Sequence, residues 1–298
     1  MEDTARFLLN IQATRKSFEK NLRPSWLKIT TITVVMNIQK PIDIRAIEKA
    51  LEPGIDLGRD DTHVFKWSVT PTKFHNQITI GYTDDRSKKS IKLFPNGAIQ
   101  IAGCSDLLDC ERVRDQLNVI LENFNPQGGS IDKYSIAMIN TNFYMSHKLN
   151  LGAVLEEFAE YDPSFNSDVY SGVIVKIPFA KAEKPVTVSI FTSGAVIITG
   201  AKDLGNIAKA YRQVAFRLAK PDVILMMKSK NQKVPYTLFG FPISKLVKAY
   251  QKKYDSVING NSVWNGRREM HDSCDKQSVI KRDSDGEFRT QRVRQFSV

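Results

Sequence analysis

Cysteine is scarce in this chain of 298 residues, which holds only Cys104, Cys110 and Cys274. They show no C-x-x-C spacing and no nearby histidine pair, so neither a disulfide framework nor a zinc site is expected, and a reducing compartment is the simpler home. Histidine is as sparse, with His63, His75, His147 and His271 scattered along the sequence, and no P-loop, G-x-S-x-G or H-E-x-x-H motif occurs. The expectation is therefore a protein that is not an enzyme and carries no cofactor or metal. The acidic run Glu156-Glu157 with Glu160 reads as a solvated helix face. No apolar run reaches membrane-spanning length, and the N-terminus lacks the charged, apolar and cleavage-site regions of a secretory signal. A soluble, intracellular protein without a membrane partner is expected. Negative charge is also in short supply: 43 Lys and Arg stand against 32 Asp and Glu, for a formal charge of +11 and a pI near 9.4. That excess points toward polyanionic partners. From Asp255 onward eight basic residues meet seven acidic ones, so nearly all of the excess lies on the body of the chain.

What is present is a repeat. Leu93-Phe94-Pro95-Asn96-Gly97-Ala98-Ile99-Gln100-Ile101-Ala102-Gly103 returns as Ile190-Phe191-Thr192-Ser193-Gly194-Ala195-Val196-Ile197-Ile198-Thr199-Gly200, an offset of 97 residues that also brings Asp106-Leu107 onto Asp203-Leu204. A repeat of that length means two similar half-domains, and halves related by a pseudo-twofold axis suit a pseudo-symmetric ligand such as duplex DNA.

The pattern around each copy supports a repeated unit. Leu27 to Met36 reads as a strand rich in Thr, Ile and Val, followed by a short helix over Ile42 to Leu51 with Asp43 in its first turn. Strands follow near Val64 to Val69, Ile78 to Tyr82, Ser90 to Phe94 and Ala98 to Ala102. A long helix then presents Cys110, Val113, Leu117, Ile120, Leu121 and Phe124 on one side. The second half repeats that order: a strand over Tyr134 to Tyr144, a helix near Leu149 to Phe158, and strands near Val173 to Ile177, Val186 to Phe191 and Ala195 to Thr199. Its closing helix carries Leu204, Ile207, Ala208, Tyr211, Val214, Ala215 and Leu218 as an apolar stripe. Pro126-Gln127-Gly128-Gly129 separates the halves. The expected organisation is a polar leader over 1–26, a first repeat over 27–125, a linker over 126–132 and a second repeat over 133–220. A C-terminal extension over 221–258, with a basic helix in Pro242 to Val257, leads into a polar, disordered tail over 259–298.

Strand parity locates the unusual residues. Ile91, Leu93, Ile99 and Ile101 share one face of the first hairpin and form the core side, whereas Lys92, Phe94, Gln100 and Ala102 share the other. In the second hairpin Val188, Ile190, Val196 and Ile198 face inward, and Ser189, Phe191, Ile197 and Thr199 face outward. Phe94 and Phe191 thus stand at matched positions on the face that should be polar, each before a tight Asn-Gly or Ser-Gly turn. An exposed aromatic on a basic protein can wedge between base steps and kink a duplex through its minor groove.

Ile190-Phe191-Thr192-Ser193-Gly194 with Val196-Ile197-Ile198-Thr199-Gly200-Ala201-Lys202 resembles the hairpin and helix start of the TATA-binding protein family, and the first copy resembles it in register. The resemblance spans about Leu27 to Lys220. It implies an α+β fold: a two-repeat saddle of ten curved antiparallel strands, with four helices on the convex face and the concave face on the DNA minor groove. TATA-binding proteins are themselves a standard example of aromatic wedging. By resemblance Phe94 and Phe191 match one intercalating phenylalanine of each half. Tyr170 matches the other in the second half, and Phe74, or His75, its first-half counterpart. Thr199 matches a groove-contacting threonine, and Lys176 and Lys202 match phosphate-contacting basic positions. Thr33, Ala102 and Ile197 complete the groove-facing set. Departures accompany these matches: Thr31 and Met138 stand where the family has asparagines, Lys92, Gln100 and Asn140 replace apolar groove residues, and Ala98 and Ala195 replace basic ones. Tyr161-Asp162-Pro163 resembles the acidic stirrup that contacts transcription factor IIB.

The function implied is a general transcription initiation factor that binds and bends AT-rich promoter duplex and recruits a factor IIB-like protein and RNA polymerase. The alternative is a protein-interaction scaffold of the same fold that has lost specific DNA binding. The degree of divergence resembles the copies carried by large DNA viruses, which implies action in a host nucleus, in a cytoplasmic viral factory or from a virion.

Overall fold

The computed structural model describes residues 2–38, 40–50, 59–60, 63–64, 66–70, 74, 76–83, 88–124, 129–179, 184–228, 236–238, 241–260, 279–282 and 288–291. These form two compact units, residues 1–251 and 252–298.

The first unit opens with helix α1 (Glu2–Lys16) and strand β1 (Lys28–Asn37), then helix α2 (Ile44–Ala50). The short strands β2 (Arg59–Asp60) and β3 (His63–Val64) precede β4 (Lys66–Thr70), β5 (Ile78–Thr83), β6 (Lys88–Leu93) and β7 (Ala98–Cys104), and α3 (Leu107–Phe124) closes the first half. The second half runs β8 (Tyr134–Tyr144), β9 (His147–Leu149), α4 (Leu151–Glu157), β10 (Ser164–Asn166), β11 (Tyr170–Ile177), β12 (Val186–Phe191), β13 (Ala195–Ala201) and α5 (Leu204–Leu218). Beyond it come β14 (Ile224–Met227), β15 (Thr237–Leu238), β16 (Phe241–Pro242) and α6 (Ile243–Gly260). In the second unit β17 (Val279–Arg282) pairs antiparallel with β18 (Phe288–Gln291).

Ten strands make one curved antiparallel sheet in the order β10-β11-β12-β13-β8-β1-β7-β6-β5-β4. The order reads the same from either end: each half contributes five strands, and the first strands of the halves, β1 and β8, meet at the centre. Alternation produces this arrangement. Ile78, Ile80 and Tyr82 on β5, Ile91 and Leu93 on β6 and Ile99 and Ile101 on β7 are all buried, and the residues between them are half-buried on the opposite face. The second half repeats the rule with Val186, Val188 and Ile190 on β12 and Val196 and Ile198 on β13.

Helices cover only the buried face. The apolar sides of α3 (Cys110, Val113, Leu117, Ile120, Leu121) and α5 (Ile207, Tyr211, Val214, Leu218) enter one continuous core with the strands. Phe124, expected on the same side of α3, lies outside the described side chains. Asp43, expected in the first turn of α2, instead caps it, accepting from the backbone N–H groups of Arg45 and Ala46. Residue 125 at the end of the first repeat and residues 126–128 of the linker lie outside the described residues. Ile131 at its end is buried and held by Asn118 of α3, which accepts from the Ile131 N–H at 2.7 Å and donates to its carbonyl.

The leader departs from the expectation of a polar segment. Phe7, Leu8 and Ile11 lie at helical spacing and are buried, each contributing about 2 kcal/mol through burial, and α1 packs along α5. Phe18 stacks on Phe216 of α5 with ring centroids 4.6 Å apart. Arg15 lies over the Trp26 ring and donates to the Pro24 carbonyl. The extension holds more than a helix: β14 pairs with β9, β15 pairs with β16, and Tyr236 accepts from the Ile29 N–H. Helix α6 covers the expected basic helix and runs to Gly260. Of the tail expected to be disordered, residues 261–278, 283–287 and 292–298 lie outside the described residues.

Candidate nucleic-acid interface

The face of the sheet without helices is the candidate site, and its chemistry follows from which residues alternate onto it. None of the ten strands contains an Asp or a Glu, while Lys28, Lys66, Lys88, Lys92 and Lys176 lie among them and Lys89 turns to the core side. Glu156, Glu157 and Glu160 line a shallow cavity of about 630 Å³ with Phe216, Arg217 and Lys220, between α4 and α5. A sheet face free of carboxylates on a chain of charge +11 suits a polyanion.

At the centre Thr31 lies opposite Asn140, and Thr33 opposite Met138 on one side and Ala102 on the other. Thr33 is 6% exposed, so this position is packed rather than presented. The ladder gives the repeat equivalence. Asn37 pairs with Ala98 as Tyr144 pairs with Ala195, and Val35 with Gln100 as Asn142 with Ile197. Two residues further along, Thr33 and Asn140 are counterparts, and then Thr31 and Met138, which agrees with the alignment read from sequence. Outward from the centre the first half places Gln100 opposite Lys92 and Lys92 opposite Thr79; the second places Ile197 opposite Ser189 and Ser189 opposite Ile174. Thr199 pairs with Thr187, and Thr187 with the exposed Lys176. Lys202 is exposed just beyond β13.

The aromatic positions repeat in geometry as well as in sequence. The Gly97 N–H donates to the Phe94 carbonyl at 3.0 Å, and the Gly194 N–H to the Phe191 carbonyl at 2.8 Å. Both glycines have φ near +80°, where a side chain would also strike the backbone: a Cβ at Gly97 would lie 2.4 Å from the Lys40 carbonyl oxygen, and at Gly194 2.3 Å from that of His147. Phe94 and Phe191 are therefore held in identical turns, each half-buried on the open face. Tyr170, 38% exposed, meets Phe191 edge-on at 5.6 Å, and Gly172 leaves the space into which the Phe191 ring lies. In the first half Phe74 is 66% exposed. Thr79 pairs with Lys92 as Ile174 with Ser189, and counting back along that register carries Tyr170 onto position 75 rather than 74; His75 lies outside the described residues.

Tyr161, Asp162 and Pro163 form the turn between the helical side and β10. Tyr161 is half-buried, its hydroxyl accepts from the Gln213 amide, and Arg217 lies over its ring at 5.3 Å. Burial raises the pKa of that hydroxyl. Asp162 is exposed with φ +46°. Of these three residues Asp162 is presented to solvent and Tyr161 is tied into the α4–α5 packing. Sequence reading missed the hairpin of β10 and β11 beside them, which exposes Phe165 and Val169; Asn166, Ser167 and Asp168 were the turn signal.

Residues 133–221 match the family model described as transcription factor TFIID, or TATA-binding protein. The second repeat thus carries a TATA-binding protein domain, and the chain is TATA-binding-protein-like. A TATA-box-binding protein-like protein of Acanthamoeba polyphaga mimivirus is 27% identical over 238 residues, 65% of this chain and 65% of that one, so the match spans about two thirds of the viral relative. The TATA-box-binding protein of Aeropyrum pernix is 27% identical over 59% of this chain and 82% of its own, and that of Methanothermobacter thermautotrophicus 24% over 66% and 97%. The solved structure of the TATA-binding protein of Methanococcus jannaschii superposes with a TM-score of 0.47 at 18% identity, over 64% of this chain and 97% of that one.

Proposed function

We propose that this chain is a viral-type transcription initiation factor that binds duplex DNA through the minor groove and bends it. The observation that carries the reading is the open, carboxylate-free sheet face bearing Phe94 and Phe191 in matched turns. Phosphates flank a groove whose floor is apolar and hydrogen-bonding, and the face offers lysines around a field of Thr, Ser, Ala and Ile. Smooth bending of a short site costs on the order of 1 to 10 kcal/mol, which wedged aromatics and phosphate neutralisation must offset. The helical side, with the exposed Asp162 and the acidic cavity between α4 and α5, would receive an initiation factor of the IIB type and, through it, polymerase. No chemistry is assigned to the chain itself.

The test is a bending assay by energy transfer on a panel of AT-rich and GC-rich duplexes, comparing the full chain with Phe94→Ala/Phe191→Ala. Loss of bending with the melting temperature retained is the expected result. Bending that survives the double change would remove the wedge assignment. Absence of any duplex binding by the unaltered chain would leave the scaffold reading in its place.

A further inference from the structure

Among the carboxamides of the open face, Asn140 and Gln100 have no carboxamide twin in the other repeat. Asn140 is the counterpart of Thr33, and Gln100 the counterpart of Ile197. The Asn140 side-chain oxygen is buried with no hydrogen-bond partner, although the residue as a whole is half-buried on that face. Leaving a buried acceptor unpaired costs about 1–3 kcal/mol, so such an atom marks a place where a donor is wanted. The amide torsion of asparagine is broad, so a modest turn carries the oxygen toward the groove side without loss of a bond. Gln100 lies between Lys92 and Val35 in the ladder, half-buried, with no bond holding its amide among the described residues.

On the floor of a minor groove A·T and T·A pairs offer acceptors only, and the one donor is the 2-amino group of guanine. An acceptor placed there is matched by guanine and by nothing else on the groove floor. Building on the minor-groove reading above, we propose that Asn140 and Gln100 accept hydrogen bonds from guanine 2-amino groups, so that the preferred site of this chain is A·T-rich but requires G·C pairs at defined positions. The apolar remainder of the face, Ile197, Val35 and Met138, keeps the A·T preference elsewhere. Because neither carboxamide has a counterpart, the guanines also break the pseudo-twofold symmetry and set the direction in which the chain lies on its site.

The experiment is a fluorescence anisotropy titration of the full chain, at one ionic strength, against an all-A·T duplex and duplexes with a single G·C pair moved through the site. Each is repeated with inosine, which lacks the 2-amino group, in place of guanine. At a few positions guanine is expected to bind about tenfold or more tighter than inosine. Asn140→Val should level guanine and inosine at one set of positions and Gln100→Ile at another, with melting temperatures retained. Equal binding of guanine and inosine at every position, on duplexes that do bind, overturns the proposal and leaves the minor-groove reading standing; this arm needs no variant and so does not depend on one folding. Failure to bind any duplex overturns the minor-groove reading and the proposal with it.

Discussion

Gly172 and Phe191 show how a single residue sets the face. A Cβ on Gly172 would lie 2.9 Å from Cε1 and 3.1 Å from Cδ1 of the Phe191 ring, so the ring occupies the space of the missing side chain. The closest clash is with the edge of a ring at a partly open surface, which can swing away, and the Ile190 carbonyl oxygen at 3.2 Å must also give by a few tenths of an ångström, so Gly172→Ala should cost about 1–3 kcal/mol of stability. It should nevertheless push Phe191 off its seat and away from its edge-on contact with Tyr170. The expected outcome is a melting temperature within a few degrees of the unaltered chain and a clear loss of duplex bending, read by the same energy-transfer assay. Unchanged bending would mean that the seat of Phe191 does not matter to the wedge. The presence of Phe191 on the open face was legible from strand parity, because inward Val188 and Ile190 leave only one side for it. Its seating on Gly172 was not, because that contact joins strands nineteen residues apart through a register that only the folded sheet fixes.

Between elements, the junction of α3 with β6 carries the most exacting electrostatics of the first repeat. Asp109 in the first turn of α3 is fully buried; it accepts from the Ser105 N–H at 2.8 Å, meets Lys89 of β6 at 3.2 Å and pairs with Arg112. Parity already places Lys89 on the core side with Ile91 and Leu93, but its partner, twenty residues on, could not be read without the helix docked against the sheet. Removing one member of a buried pair leaves the other charge uncompensated, at a cost of about 3–5 kcal/mol, whereas replacing both with apolar residues is often nearly neutral. Asp109→Ala should therefore lower the melting temperature sharply, and Asp109→Leu/Lys89→Met should recover most of the loss. A double change as damaging as the single one would show that packing, not charge, is at stake. Strands and helices with strong periodicity, such as β8 and α5, were readable nearly to the residue. Helix α1 was passed over because Phe7, Leu8 and Ile11 form a thin stripe in a polar stretch, and only the presence of α5 beneath turns that stripe into a buried contact. The β9–β14 pair escaped for a similar reason, since three- and four-residue strands show too few alternations to be told from loop.

At the scale of the whole molecule, two five-strand halves of near-identical topology present unequal surfaces to one ligand. By resemblance Ala98 and Ala195 stand where the family carries cations, and Lys176 has as its ladder counterpart Gly81, so the phosphate contacts proposed at Lys176 and Lys202 fall in the second repeat. Association of such a chain with duplex should fall with salt, each phosphate neutralised adding about 0.9 to the slope of log affinity against log salt. Lys176→Ala/Lys202→Ala, two exposed side chains away from the core, should leave the melting temperature unchanged and reduce that slope by about 1.8, with affinity weakened on AT-rich and GC-rich duplexes alike. A loss confined to one sequence class would instead place these lysines against bases. An unchanged slope would move the phosphate contacts elsewhere, to the lysines of the first repeat, and would mean that the basic character of this face is borne by the half in which Lys92 and Gln100 have replaced the apolar floor.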